Sequence, residues 1–369
     1  MKRNLLYLAI CLCGFCSCES TTGYRINGYI PGAPDGVKVY LQPADAFRAP
    51  NLDSTVIKNE RFVLENNEPM ACPRVVTVSF NLKPGEKDFT SKKSSRTLFL
   101  KEGDRLSIEC PVDSLPSAYW EARDKSLNVN VQGSADQDLY VAYVKNMRAL
   151  KQERNQLNDR YYSEYLKPEN QNKHNPELMD MVRQVNAMDK DLCNKQLDFV
   201  KANKASMVAL YLGTELLSRN TSVFTEAEID AIHALFDPAL LATPQGKRFE
   251  EAVVAAKVVA KGKKYSDMNL VDLQGNPVKL SDFVKEGQCN MLEFWASWCS
   301  PCRGEIPHLR RIYKLCEEGN FNMISISIDE KDADWKKAVK EESMEWTQLC
   351  DPHGFKGECN RVYHLSCPK

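Results

Sequence analysis

The chain has 369 residues, of which 43% are hydrophobic and 27% are charged, and its formal net charge is −1. This length corresponds to about two to three domains, and the composition excludes a fibrous or a disordered chain. The 49 Lys and Arg residues are balanced by 50 Asp and Glu residues, so we expect no nucleic-acid partner. Most of the 14 cysteines lie in the first 18 residues or after position 288.

The N-terminal 17 residues have the pattern of an export signal. Two basic residues precede an apolar run over residues 5–16, which is too short to cross a bilayer. The run ends in Phe-Cys-Ser-Cys, where Ser17 is the small residue before Cys18. This string resembles the lipobox of bacterial lipoproteins, which implies that Cys18 carries lipid and that residues 18–23 form a polar tether. The alternative is cleavage elsewhere, with these cysteines belonging only to the apolar run.

The signal predicts an extracytoplasmic protein in the cell envelope, facing the periplasm or the exterior. No later stretch reaches the roughly 18 uninterrupted apolar residues that a transmembrane helix needs. The lipid on Cys18 is therefore the expected membrane anchor.

Residues 24–132 alternate short β-type runs with turn residues such as Pro31-Gly32. We predict strands over residues 25–30, 37–41, 61–64, 74–80, 96–100, 105–110 and 127–131. Six or seven strands over about 110 residues predict an all-β domain of sandwich type. Its cysteines, Cys72 and Cys110, are isolated in the sequence, so we interpret this domain as a scaffold or a partner-binding module.

Residues 133–262 have the periodicity of helices. Ser134 and Gln137 have the spacing of a capping box, and they open a first helix that ends before Pro168. A second helix begins at Asn175-Pro176, because proline is favoured at the first helical position.

The second helix carries a methionine-containing apolar stripe in alternating steps of three and four residues, which is typical of a packing face. Cys193 lies beside this stripe, and we interpret it as a buried thiol. Thr225 and Glu228 have the spacing of another capping box, and residues 249–259 predict the last helix of the region.

After residue 262 the hydrophobic period changes. We predict strands over residues 268–273, 278–280, 291–295, 321–328 and 346–350, with a helix over 333–343. This order of elements predicts α/β architecture. The strand at 291–295 leads directly into Ala296-Ser297-Trp298-Cys299-Ser300-Pro301-Cys302-Arg303.

A strand followed by Cys-x-x-Cys at the start of a helix suits thiol chemistry. The first helical turn has unpaired backbone N–H groups and the positive end of the helix dipole, which favour a thiolate at Cys299. Cys302 lies about one turn further on, close enough to displace a substrate thiol from a mixed disulfide. Pro301 suits the first turn because its missing N–H has no partner to lose.

The string Trp-Cys-x-Pro-Cys resembles the thioredoxin superfamily, and the longer string Phe-Trp-Ala-Ser-Trp-Cys-Ser-Pro-Cys-Arg-x-Glu-x-Pro resembles the TlpA/ResA-type extracytoplasmic thiol-disulfide oxidoreductases. The whole layout is similar to lipoprotein thioredoxins whose N-terminal domain has no assigned function. The resemblance implies a thioredoxin fold over residues 263–369, Cys299 as the attacking thiol and Cys302 as the resolving thiol. It also implies protein thiol or disulfide partners, an unidentified electron donor, and no metal or organic cofactor.

The resemblance also gives weaker expectations for other positions. Glu293 occupies the place of a buried acid that relays the proton of the second cysteine, and the alternative is a paired or solvent-facing side chain. Trp298 is expected beside the disulfide, where it shapes a docking surface. Glu305 is either a dipole partner or a tuner of the thiol, His308 is expected on the solvated surface, and Pro307 matches the position of a helix kink.

Two other uses of a Cys-x-x-Cys pair are disfavoured. A structural zinc site usually needs a second ligand pair, and the later cysteines are too widely spaced to supply one. A peroxiredoxin-type peroxidase uses a Pro-x-x-x-Thr-x-x-Cys loop, and the residues before Cys299 contain neither that proline nor that threonine.

The C-terminal sequence reaches the position of the family's substrate-facing cis-proline at Pro368. The family continues with a hairpin and a closing helix, so we expect a shortened, incomplete domain that folds poorly. On this hypothesis Cys350, Cys359 and Cys367 are not a designed site. The alternative is that a partner or a second copy donates the missing strands.

The sequence therefore predicts a lipid-anchored thiol-disulfide oxidoreductase of the cell envelope, with Cys299 and Cys302 as its catalytic pair. The alternative function is a redox-inactive lipoprotein with a degenerate thioredoxin domain that binds a partner at the membrane surface.

Overall fold

The structure is a computed structural model that describes residues 22–44, 50–82, 92–94, 97–116, 128–167, 170, 175–219, 223–316 and 319–365. The predicted signal, the lipid site Cys18 and residues 18–21 of the tether lie outside the described residues. Among the described helices, none is both long and apolar enough to span a bilayer. The chain divides into two units, Met1–Leu139 and Tyr140–Lys369.

The first unit is built from β-strands. They are β1 (Tyr24–Tyr29), β2 (Lys38–Pro43), β3 (Asp53–Val56), β4 (Arg61–Asn66), β5 (Arg74–Asn81), β6 (Lys92–Ser94), β7 (Leu98–Leu100), β8 (Arg105–Glu109) and β9 (Asn130–Gln132). In the described residues they form one sheet in the order β4-β1-β8-β9 and another in the order β3-β2-β5-β6, where β7 also pairs with β5. The predicted β-rich N-terminal region is confirmed.

The two sheets of the first unit share one apolar core. Alternate residues of β1 and β4, such as Ile26 and Leu64, are buried together with Val39 of β2. Phe62 and Phe80 meet edge to face across the two sheets, with ring centroids 5.7 Å apart. The sequence pattern missed β3 because none of its four side chains is fully buried, so it has no strong apolar alternation.

The helices of the middle region are α1 (Ala135–Tyr165), α2 (Pro176–Ala202), α3 (Met207–Arg219), α4 (Glu226–His233), α5 (Pro238–Leu241) and α6 (Pro244–Val258). Two of the predicted starts are confirmed. The Asn175 side chain accepts hydrogen bonds from the first turn of α2, and Thr225 and Glu228 form a reciprocal capping box at α4. The predicted buried thiol of Cys193 is 6% exposed.

The capping box predicted at Ser134 and Gln137 is wrong. The Ser134 hydroxyl has no hydrogen-bond partner among the described residues, and the Gln137 amide donates to the Thr97 carbonyl at 3.3 Å instead. The sequence also gave no signal for α3, because most of its residues are buried and its apolar period is therefore masked.

The C-terminal part of the second unit is an α/β domain. Its strands are β10 (Asn269–Asp272), β11 (Pro277–Lys279), β12 (Cys289–Trp295), β13 (Phe321–Ser327) and β14 (Thr347–Cys350), and its helices are α7 (Ser300–Cys316), α8 (Asp332–Glu341) and α9 (Glu358–Tyr363). The sheet order in the described residues is β11-β10-β14-β13-β12, with β12, β13 and β14 parallel. Two consecutive βαβ units, β12-α7-β13 and β13-α8-β14, give the predicted thioredoxin-like architecture.

Each face of this sheet is covered by its own apolar cluster. Along β12, Leu292 and Phe294 belong to one cluster, whereas Met291 and Trp295 belong to the other. This division follows from the alternation of side chains along a strand. Cys302 packs against both clusters, so the start of α7 lies where the two cores meet.

Candidate active site

Cys299 and Cys302 are joined by a disulfide at the start of α7. Strand β12 ends at Trp295 and the helix begins at Ser300. The Cys299 N–H donates to the Ala296 carbonyl at 3.0 Å, which closes a turn between the two elements. The two cysteine Cα atoms are 5.3 Å apart, and Cys299 is 5% exposed.

The backbone of the first helical turn points at the sulfur of Cys299. The Cys302 N–H donates to Cys299 Sγ at 3.3 Å, and the N-terminal end of α7 contributes the positive end of its dipole. Both effects stabilise a negative charge on that sulfur once the disulfide is reduced. The arrangement therefore favours Cys299 as the nucleophile.

Asp329 fixes the loop before Cys299, and the sequence analysis missed it. Its carboxylate accepts hydrogen bonds from the Ser297 N–H at 2.8 Å and from the Ser297 hydroxyl at 2.6 Å. The Ser327 hydroxyl donates to the same carboxylate at 2.6 Å, and Asp329 is only 2% exposed. Its position directly after a buried parallel strand was the available signal, because the carboxyl ends of parallel strands meet at one edge.

Glu293 lies on β12 and is partly buried. The Ser325 hydroxyl on the neighbouring strand donates to Glu293 Oε2 at 2.6 Å. Burial raises the pKa of Glu293 to about 7, while the hydrogen bond from Ser325 acts in the opposite direction. A carboxyl with this pKa can exchange a proton near neutral pH, and its role as a proton relay stays a prediction.

Trp298 is exposed beside the disulfide. Its side chain is 52% exposed, and its ring centroid lies 6.0 Å from that of Phe355, which is also exposed. Phe355 is 57 residues away in the sequence, and the sequence analysis did not single it out. The two rings form an apolar surface next to Cys299, and the docking role of Trp298 stays a prediction.

The expectation of a solvated His308 is wrong. The side chain is partly buried, and a hydrogen bond of 2.5 Å joins His308 Nδ1 to the hydroxyl of Tyr165 at the end of α1. Burial lowers the pKa of His308. Glu305 is exposed, and Pro307 lies within α7.

The other cysteines of this domain have different surroundings. Cys350 and Cys359 are buried free thiols, and burial raises the pKa of Cys350 to about 12 and that of Cys359 as well. Buried thiols of this kind are inert, because little thiolate forms at neutral pH. Pro368 and Cys367 lie outside the described residues.

Two family comparisons match separate parts of the chain. Residues 261–367 match the AhpC/TSA family, and residues 24–140 match a domain of unknown function, DUF4369. The thiol-disulfide oxidoreductase ResA of Bacillus thuringiensis subsp. konkukian is 31% identical over 93 residues, which are 25% of this chain and 53% of that protein. ResA of Oceanobacillus iheyensis is 29% identical over 94 residues, 26% of this chain and 46% of that protein. The chain thus spans about half the length of these curated relatives.

Solved structures have sequence identities to this chain similar to those of the curated relatives. The thioredoxin domain of a thiol-disulfide oxidoreductase from Bacteroides vulgatus is 30% identical, with 28% of this chain and 74% of that chain covered and a TM-score of 0.26. A thiol-disulfide oxidoreductase from Bacteroides fragilis is 30% identical, with 28% and 76% covered and a TM-score of 0.26. The family match and the ResA relatives coincide with the α/β domain that carries the Cys299–Cys302 pair. Residues 261–367 therefore match the AhpC/TSA family and resemble ResA-type thiol-disulfide oxidoreductases, in agreement with the thioredoxin-like architecture of the α/β domain.

Proposed function

We propose that this protein is an extracytoplasmic thiol-disulfide oxidoreductase that reduces or exchanges disulfides in partner proteins. The observation that carries the proposal is the Cys299–Cys302 disulfide at the N-terminus of α7, with the Cys302 N–H directed at Cys299 Sγ. The ResA relatives support the same chemistry.

The reaction starts from the reduced pair. The thiolate of Cys299 attacks one sulfur of a partner disulfide, which forms a mixed disulfide and releases the first partner thiolate. Cys302 then loses its proton to the carboxylate of Glu293, and the new thiolate attacks the Cys299 sulfur. The second partner thiolate leaves as the Cys299–Cys302 bond forms, and the two leaving thiolates take up protons from Glu293 and from water. Two electrons pass from the cysteine pair to the partner, and a dithiol donor must return them.

The partner side of the reaction requires close docking. Cys299 is only 5% exposed, so a partner disulfide has to come into contact with the surface around it. Trp298 and Phe355 supply an apolar contact area there. The proposal locates this reaction in the cell envelope, because the sequence predicts an export signal and a lipid on Cys18.

The first test is reduction of insulin disulfides by the purified chain with dithiothreitol as the electron donor. We expect the wild-type chain to accelerate the reaction and Cys299→Ser to fall to the background rate, because the attacking sulfur is lost. Cys302→Ser should instead accumulate a mixed disulfide between Cys299 and insulin, which mass spectrometry detects.

The matched control is Cys289→Ser, which removes an exposed cysteine outside the motif and should keep the wild-type rate. A wild-type chain that reduces insulin no faster than Cys299→Ser would contradict the proposal. That result would favour the alternative, a redox-inactive lipoprotein that binds a partner.

A further inference from the structure

A short row of polar side chains crosses the sheet below α7. In the strand register, Glu293 of β12 pairs with Ser325 of β13, and Ser325 pairs with Gln348 of β14. Paired residues of parallel strands project from the same face of the sheet. Ser325 is fully buried and Gln348 is 4% exposed, so these two members of the row lie inside the protein, whereas Glu293 is partly buried.

The hydrogen bonds in this row have a fixed direction. Trp346 Nε1 donates to Ser325 Oγ at 2.7 Å, and Ser325 Oγ donates to Glu293 Oε2 at 2.6 Å. An indole N–H is a donor only, so Ser325 has to accept from Trp346. The single proton of the Ser325 hydroxyl is then left for the ionised carboxylate of Glu293.

Among the described residues, no competing acceptor captures that proton. The side chain of Gln348 is the other polar neighbour in the register, and neither its oxygen nor its nitrogen has a hydrogen-bond partner among the described residues. The pKa of Glu293 responds to burial and to Ser325, and to no other described group of comparable effect. On the helix above this face, α7 contributes Tyr313, whose ring lies 5.5 Å from that of Trp346.

The row is connected to the reactive pair through the packed core. Trp346 and Trp295 belong to the apolar cluster against which Cys302 packs. Glu293 and Trp295 both lie on β12, the strand that leads into the Cys299 loop. A change in the charge of Glu293 therefore alters the electrostatic potential in a low-dielectric region that includes Cys302.

We propose that Ser325, held in one orientation by Trp346, is a positioning residue that fixes the Glu293 carboxylate to accept and return the proton of Cys302. The proposal rests on the function proposed above. When the carboxylate takes the proton, the Cys302 sulfur becomes a thiolate and no other bond changes. Ser325 and Trp346 act only through Glu293, because their hydrogen bonds determine how stable the ionised form of the Glu293 carboxyl group is.

The test measures the titration of Glu293 directly in the full chain. Carboxyl carbons are labelled with ¹³C in glutamate, and the Glu293 resonance is assigned by its absence in Glu293→Gln. We expect Ser325→Ala to raise the titration midpoint of Glu293 by about 1 pH unit, because the carboxylate loses the hydrogen bond from the Ser325 hydroxyl. Trp346→Phe keeps an aromatic side chain but removes the indole N–H that donates to Ser325. It should raise the Glu293 midpoint by a smaller amount, and it also provides a result if Ser325→Ala does not fold.

The matched control is Ser327→Ala. Ser327 is a buried serine two residues along the same strand, and its hydroxyl bonds to Asp329 instead of Glu293. This variant should leave the Glu293 midpoint unchanged. An unchanged midpoint in both Ser325→Ala and Trp346→Phe would overturn the positioning role.

A second readout separates this inference from the function on which it rests. In Ser325→Ala, the pH profile of insulin reduction should shift to higher pH together with the Glu293 midpoint. In Glu293→Gln, the part of the profile that follows the titration of Glu293 should disappear. A midpoint that moves while the pH profile stays in place would overturn the link to catalysis. A wild-type chain without any insulin reduction would overturn the proposed function, whereas the Glu293 midpoints would still decide whether Ser325 and Trp346 control the carboxyl.

Discussion

At the residue scale, a buried polar group holds the loop that precedes the two cysteines. Asp329 is 2% exposed and receives hydrogen bonds from the backbone and hydroxyl of Ser297 and from the hydroxyl of Ser327. Its partners lie in the loop before Cys299 and at the end of β13. A buried carboxylate with these donors holds two segments of the chain in one arrangement.

Replacing Asp329 therefore tests whether the loop needs this anchor. We expect Asp329→Ala to lower the free energy of unfolding by about 3 kcal/mol, because it removes the acceptor of the buried Ser327 hydroxyl and of the partly buried Ser297 donors. Urea denaturation followed by circular dichroism measures this loss. Asp329→Asn keeps one acceptor oxygen and should lose less.

The control for Asp329→Ala is Asp332→Ala, which removes an exposed carboxylate at the start of α8. Surface changes of this kind are usually within about 0.5 kcal/mol. If Asp329→Ala were as stable as this control, Asp329 would not be the anchor of the loop.

At the element scale, the last turn of α1 packs against α7. Tyr165 is hydrogen-bonded to His308, and the two rings meet edge to face with centroids 5.0 Å apart. The Arg311 guanidinium lies over the Tyr165 ring, 4.3 Å from its centroid. The helical region is thus in direct contact with the helix that carries the disulfide.

This contact predicts a change in the titration of His308. Burial lowers the pKa of His308 from its ordinary value of 6.5, while Glu305 acts to raise it and Arg311 to lower it. Tyr165→Ala should raise the pKa of His308 towards that ordinary value, because the ring gains access to water. Nuclear magnetic resonance of the imidazole protons measures the midpoint.

Tyr162→Ala is the matched control, since Tyr162 lies in the same helix but is 44% exposed. It should leave the His308 midpoint in place. A midpoint of His308 that is equal in the wild type and in Tyr165→Ala would show that α1 does not cover this side chain in solution.

At the scale of the whole molecule, the described cysteines differ in exposure. Cys289 is exposed, Cys72 is partly buried and the Cys299–Cys302 pair lies at a helix start. Four other described cysteines are buried: Cys110, Cys193, Cys350 and Cys359. Burial raises the pKa of the Cys193, Cys350 and Cys359 thiols. Reactivity should therefore be confined to a small part of the chain while the protein is folded.

Timed alkylation of the reduced chain with iodoacetamide, followed by peptide mass spectrometry, tests this division. Cys289 and the motif pair should be modified first, and the four buried cysteines only when urea unfolds the chain. Rapid modification of the buried thiols under native conditions would contradict the described core. On reoxidation, we expect Cys299–Cys302 to be the disulfide that forms again.

The sequence by itself determined the order of the β-rich, helical and α/β regions and the position of the Cys-x-x-Cys motif. The change of hydrophobic period after residue 262 located the α/β domain, and Trp-Cys-x-Pro-Cys located the disulfide that the structure contains. The N-terminal ends of α2 and α4 were also predicted from the sequence, because their capping residues interact with groups within three positions along the chain. Local interactions of this kind leave a local pattern in the sequence.

The tertiary structure decided which polar side chains, distant in the sequence, pair with one another in the second unit. Ser297 and Asp329 are 32 residues apart, and Tyr165 and His308 are 143 residues apart. Ser325 gives no periodic signal in a strand, and only the register beside β12 places its hydroxyl on Glu293. Such contacts depend on which strands and helices become neighbours when the apolar faces are buried, and no short segment of the sequence contains that information.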